Sequence, residues 1–207
     1  MDGIGSKYTH GKDYNSEALE VGREGRGTLN VRNGGEVETR GDGVIGVTAG
    51  SVGAVTVNGV GSNWKIIGRV RVGLFGGGIL NISDGGLVSV AETLTIDYDE
   101  NGNGFINMST GGMLALNGDA DDSLLDFLGL IDGTDAIRFW DDSVSKWTNI
   151  TDATYDEDYT LSCPTEGDLA GYTVLTVGVV PEPSTLAGLL GLCLAGVLTS
   201  LRRKRQS

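Results

Sequence analysis

The chain has 207 residues, with 35 Gly against 3 Pro, 2 Cys and 1 His, and a formal charge of −13. Residues 181–207 contain four basic residues and one Glu, so the first 180 carry 11 Lys+Arg against 27 Asp+Glu, or −16. A body this acidic repels phosphate backbones, which sets nucleic acid aside as a partner. Two cysteines, Cys193 in an apolar tail and Cys163 in the body, make no disulfide framework.

Met1 to Glu20 (MDGIGSKYTHGKDYNSEALE) has no basic segment followed by an apolar one, so it does not read as a signal peptide. Residues 1–18 are expected to be an irregular start. Because the far end of the chain reads as an export signal, Met1 is expected to be a mis-assigned start or the edge of a fragment.

An internal repeat begins at Leu19. Residues 19–37 (LEVGREGRGTLNVRNGGEV) and 70–88 (VRVGLFGGGILNISDGGLV) are identical at nine of 19 positions at a constant offset of 51. A third copy, Leu94 to Leu114, keeps the pattern with two extra residues before Gly104. Val44 to Trp64 is a variant placed half a period away, so the underlying unit is about 25 residues, with two kinds alternating. Within each unit apolar residues alternate, as in Leu29/Val31, Val55/Val57, Leu80/Ile82 and Ile106/Met108. That is the period of strands with one buried face.

Short strands separated by Gly-Gly and Asn-Gly corners describe coils of a β-solenoid over residues 19–118, each apolar position stacking on its equivalent at the strand spacing of about 4.8 Å. The expected class is all-β, a parallel β-helix with Gly-rich turns. Repeated hairpins in a sandwich are the alternative, but they rarely need such close register between units.

Residues 119–179 drop the repeat and turn acidic and aromatic: Asp119, Asp121, Asp122, Phe127, Phe139, Trp140, Trp147, Tyr155, Tyr159 and Tyr172. They are expected to form a small β-rich cap over the open end of the stack, with a short helix within Leu124–Leu130.

Residues 180–207 fall into three blocks. Pro181-Glu182-Pro183 is a stiff extended break. Leu186 to Leu201 is a run of 16 uncharged residues that reads as a hydrophobic helix. Arg202-Arg203-Lys204-Arg205 is a basic stop that keeps the C-terminus in the cytoplasm. At 1.5 Å per residue the apolar run spans about 24 Å, short of a hydrocarbon core of about 30 Å. Gly188, Gly191 and Gly196 weaken its helix further. Taken alone, it reads as a membrane anchor of marginal length.

These three blocks resemble the PEP-CTERM sorting signal of exopolysaccharide-producing bacteria. The body resembles repeats shared by PEP-CTERM proteins and autotransporter passenger domains, through Val72-Gly73 to Gly85-Gly86 and through Gly59-Val60-Gly61-Ser62-Asn63-Trp64. The resemblance implies export, a transient inner-membrane intermediate, cutting near the motif by an exosortase-type enzyme, and delivery to the cell surface or extracellular matrix. It carries no catalytic residue with it. The expected function is therefore non-enzymatic, a structural or adhesive role in exopolysaccharide or biofilm.

Two other classes compete. Asp97, Asp99 and Asn101 match the first half of a calcium loop, D-x-D-x-N-G, which would make the protein a calcium-dependent binding module. Met108 stands where the loop needs a bidentate Glu, and a two-residue expansion of a solenoid corner is the plainer account of the stretch. Lys65, Arg69 and Arg71 suggest the basic cluster of a β-helix polysaccharide lyase, against the plainer account of a solvated basic strand face.

His10, alone in the irregular start, and Cys163, with no His nearby in sequence, offer little to general-base or nucleophilic chemistry. Arg40-Gly41-Asp42 is read as a turn. The sequons at Asn81 and Asn107 are read as an asparagine ladder along the stack, and that at Asn149 is left without one. No cofactor is expected beyond the calcium candidate.

Overall fold

A computed structural model describes residues 1–13, 17–99, 102–120, 123–134 and 136–178. The chain winds as a three-faced parallel β-solenoid of about four turns. Four coils each contribute three strands. They are β2 (Leu19–Val21), β3 (Arg26–Arg32) and β4 (Glu36–Thr39); then β5 (Gly43–Ile45), β6 (Val52–Asn58) and β7 (Asn63–Ile66). The third and fourth coils are β8 (Val70–Val72), β9 (Gly77–Ser83) and β10 (Leu87–Val90), then β11 (Leu94–Ile96), β12 (Asn103–Met108) and β13 (Gly112–Asn117). Equivalent strands pair in parallel, giving three sheets.

The register explains the repeat. Leu19 pairs with Gly43 and Gly43 with Val70, while Arg26 pairs with Val52 and Val52 with Gly77. The steps differ from coil to coil, but in these two sheets any two successive steps return the 51-residue offset. The two extra residues of the third copy fall in the corner between β11 and β12, since Leu94 follows Val70 by 24 and Asn103 follows Gly77 by 26.

Period-2 alternation becomes columns in the core. Val31, Val57, Ile82 and Met108 stack in one column, and Val37, Trp64, Val88 and Leu114 in another, all buried. Two positions show why the glycines matter. A Cβ on Gly53 or Gly104 would fall on the carbonyl oxygen of Val21 or Val72 respectively, so the corner between the first two faces closes only around glycine.

Trp64 has no exposed surface, and its Nε1 donates to Thr39 Oγ1 in the coil below at 3.0 Å. A Cβ on Gly43 would come within 2.9 Å of the Trp64 ring, so glycine there leaves room for the indole. The Ser62 hydroxyl of the same motif donates to the Asn58 carbonyl at 2.7 Å and accepts from the Gly34 amide at 3.1 Å, tying two coils at one corner.

Both ends differ from the expected layout. Part of the supposedly irregular start is a strand, β1 (Lys7–His10), parallel to β4. The reason is that the outer edge of β4 presents unpaired N–H and C=O groups, which any extended segment can satisfy. At the other end, stacking continues beyond the repeat. Strands β14 (Ile131–Gly133) and β15 (Ile137–Asp141) extend two sheets in parallel, placing Ile137 and Phe139 on the Ile106 and Met108 columns. Helix α1 (Leu124–Leu128) buries Phe127 between β13 and β14 in sequence.

Antiparallel strands then end the sheets: β16 (Lys146–Asn149) on β15, and β18 (Tyr172–Val177) on β13 with β17 (Tyr159–Ser162) outside it. Reversing direction lets a short hairpin cover an edge that a further coil would otherwise have to cover. Among the described residues no helix is long and apolar enough to cross a membrane. The expected hydrophobic helix, Leu186–Leu201, lies outside them.

Candidate functional site

Most of the residues that drew attention in the sequence turn out to serve the coils. In Arg40-Gly41-Asp42, Arg40 donates to Glu38 Oε1 at 2.8 Å and to the Lys12 carbonyl at 2.9 Å, and Gly41 is buried. The Arg40 hydrogen bond, helped by nearby Lys7 and Lys65, holds the Glu38 carboxyl below its usual value despite the opposing effect of burial. Asp42 accepts from the Arg69 amide at 2.9 Å and from Arg71 Nη1 at 3.0 Å. The tripeptide is a coil corner whose two charged side chains are engaged within the molecule.

The asparagine ladder is real but short. Asn107 Nδ2 donates to Asn81 Oδ1 at 3.0 Å, whereas Thr56 interrupts the column toward Asn30. The third sequon has a local explanation that sequence reasoning missed. Asn149 caps the 3₁₀ turn Ile150–Asp152, its Oδ1 accepting from the Thr151 amide at 2.9 Å.

His10 and Cys163 cannot cooperate. His10 lies on β1 at one end of the seven-stranded sheet, while Cys163 follows β17 at the other. The thiol sits 3.6 Å from Thr173 Oγ1 and 3.9 Å from Asp119 Oδ1.

The calcium candidates occupy the enlarged corner after β11. Asn101 lies outside the described residues, as does Glu100. Asp97 takes φ +57° at a position where the preceding coils place Gly22, Gly46 and Gly73, and its Oδ1 is buried without a hydrogen-bond partner among the described residues. Among those residues no three His, Cys, Asp or Glu side chains converge as a metal site. The sorting residues Pro181, Glu182, Pro183, Leu186, Leu201 and Arg202, Arg203, Lys204, Arg205 also lie outside the described residues.

The basic cluster is divided by the fold. Lys65 points from β7 into a shallow cleft shared with Asn63, Leu87 and Pro164 on one face. Arg69 and Arg71 belong to another face, where they line an open cleft of about 610 Å³ with Phe75, Thr95, Tyr98 and Asp132. Arg69 pairs with Glu92 at 3.3 Å and Arg71 with Asp42 at 3.0 Å. Sequence reasoning saw the arginines but not the aromatics, because Phe75 and Tyr98 come from corners of successive coils.

A third cleft, about 570 Å³, lies in the C-terminal part beside Trp140, Asp141, Asp142, Asp152 and Asp158. There Trp140 and Trp147 pack edge to face, with ring centres 5.4 Å apart, across the β15–β16 hairpin. The Ser143 hydroxyl, 2.5 Å from Asp141 Oδ1, holds that carboxyl below its usual range.

In comparison with known families, residues 179–204 match the PEP-CTERM protein-sorting motif. No curated protein and no solved structure matches the chain. The matched segment contains the proline break, the apolar run and most of the basic stop.

Proposed function

We propose that this chain, which carries a PEP-CTERM sorting motif and is therefore supported as an exported, exosortase-sorted protein, is a non-catalytic structural component of the cell surface or extracellular matrix. Its work there is to present a rigid acidic solenoid within exopolysaccharide. The observation that carries this reading is the pairing of a C-terminal export address with a body whose internally repeated residues form core columns and coil corners. In such a body stability comes from stacking coils, and the three outer faces are left for contact with surroundings.

The lyase reading is disfavoured on charge. A base that abstracts a proton from a uronate must be available to the sugar, whereas Arg69 and Arg71 are each held by a carboxylate. Deleting the gene in its own host and restoring it with the full chain tests the proposal. We expect the deletion to loosen the matrix and shed polysaccharide into the medium, with recovery on complementation. An unchanged matrix, or release of unsaturated uronate products by the purified chain, would overturn the structural role.

A further inference from the structure

We propose that the cleft beside Arg69 and Arg71 binds a neutral hexopyranose polymer laid along the stacking axis. This deepens the exopolysaccharide reading and rests on it for the setting in which such a polymer is met.

The cleft runs over the outer side of β8, β11 and β14. Arg71, Thr95 and Asp132 stand in register on these three strands as one outward column. Consecutive strands are about 4.8 Å apart, so a linear ligand crossing them meets a new polar group at each step. Thr95 is 8% exposed and forms the floor.

One wall is aromatic. Phe75 and Tyr98, from the corners after β8 and β11, are 42% and 62% exposed and meet edge to face with ring centres 6.4 Å apart. Large apolar rings left exposed beside polar groups on an acidic surface suit a ligand with both apolar faces and hydroxyl edges, as a pyranose has.

The polar groups select against strong charge. The two guanidinia are offset by Asp42 and Glu92, and Asp132 adds a further carboxylate, so the cleft has no positive excess for a polyanion. What remains is a set of oriented groups. The arginines supply only donors, Asp132 only acceptors, and Thr95 both, which matches vicinal hydroxyls that donate and accept in turn. Arg71, half-buried and hydrogen-bonded to Asp42 at 3.0 Å, is held in place before a ligand arrives, so less of its side-chain freedom is lost on binding.

The test is calorimetric titration of the full-length chain in mild detergent with neutral gluco- and manno-oligosaccharides, oligogalacturonate and chitosan oligomers, at low and high salt. We expect neutral oligosaccharides to bind, more tightly with length, and with little dependence on salt. Tyr98→Ala should weaken binding about tenfold, Tyr98→Phe should keep it, and neither should move the thermal midpoint by more than a degree or so, the ring being exposed. Absence of binding to every neutral oligosaccharide would overturn the proposal. So would binding that Tyr98→Ala leaves intact, or binding confined to charged polymers and abolished by salt. Export and C-terminal cutting are read separately in cells, so failure of this site and failure of the sorted-surface reading are distinguishable.

Discussion

Asp97 sits with φ +57° at a corner where Gly22, Gly46 and Gly73 hold φ between +73° and +77° in the preceding coils. A non-glycine residue in the left-handed region costs about 1 kcal/mol, with aspartate at the milder end. Its buried Oδ1, without a partner among the described residues, costs a further 1–3 kcal/mol or so. Replacing it by glycine removes both terms but loosens the unfolded chain, which takes back up to about 1 kcal/mol. With that offset taken in full, the balance for Asp97→Gly is a gain of about 1–3 kcal/mol, or roughly 2–12 °C in thermal midpoint for a body of this size. Circular dichroism melts of wild type and variant, each with calcium and with chelator, measure it. The account expects a higher midpoint for the variant and no effect of calcium on either. A lower midpoint, together with calcium protection that only the wild type shows, would refute the corner reading and make Asp97 a ligand.

Three further outcomes follow from the packing. Thr39→Val leaves the Trp64 indole N–H buried without its acceptor and should cost about 1–3 kcal/mol in urea melts. Trp64→Phe removes volume as well as the donor and should cost more. The double variant should cost less than the sum of the two, since neither polar partner is then stranded. Gly104→Val forces a side chain onto the Val72 carbonyl and should separate the third and fourth coils, read as lost amide protection in β12 and β15 with β3 and β6 less affected. Glu38 has a depressed pKa in the folded state, so its contribution is present above its ordinary value of 4.5 and fades as pH falls through the lower folded value. The stability gap between wild type and Glu38→Gln should therefore be open at neutral pH and closed in acid, and Arg40→Ala should shrink it at neutral pH.

How far the sequence reached depends on whether a feature is periodic. The 51-residue offset, the core columns and the enlarged corner before Gly104 were all legible, because stacking forces equivalent residues to repeat. Strand β1 was not, since Lys7-Tyr8-Thr9-His10 has no buried face to impose alternation, its residues being largely exposed. The continuation through β14 and β15 was hidden for another reason. The connections lengthen there, Ile131 following its partner Leu94 by 37 residues and Ile137 following Ile106 by 31, so no fixed offset survives.

The candidate cleft is non-local in the same sense. Arg69 and Arg71 stand out in the sequence as a charge run with Lys65, but the fold turns Lys65 onto a different face. Tyr98 and Asp132 reach the arginines only through stacking of later coils. The sorting segment is the opposite case. Its signal is a linear order of proline break, apolar run and basic stop, and it was legible without any fold.

The central claim is that Val180–Ser207 is an address removed at the membrane, before the solenoid is delivered to the surface. Intact mass spectrometry of the chain from its own host, with and without the exosortase, tests it most directly. The account predicts a surface species that ends near Pro181-Glu182-Pro183 and lacks Arg202–Arg205 when the exosortase is present, and a full-length species in the membrane fraction when it is absent. A surface chain that retains Arg202–Arg205 in the presence of the exosortase would contradict it.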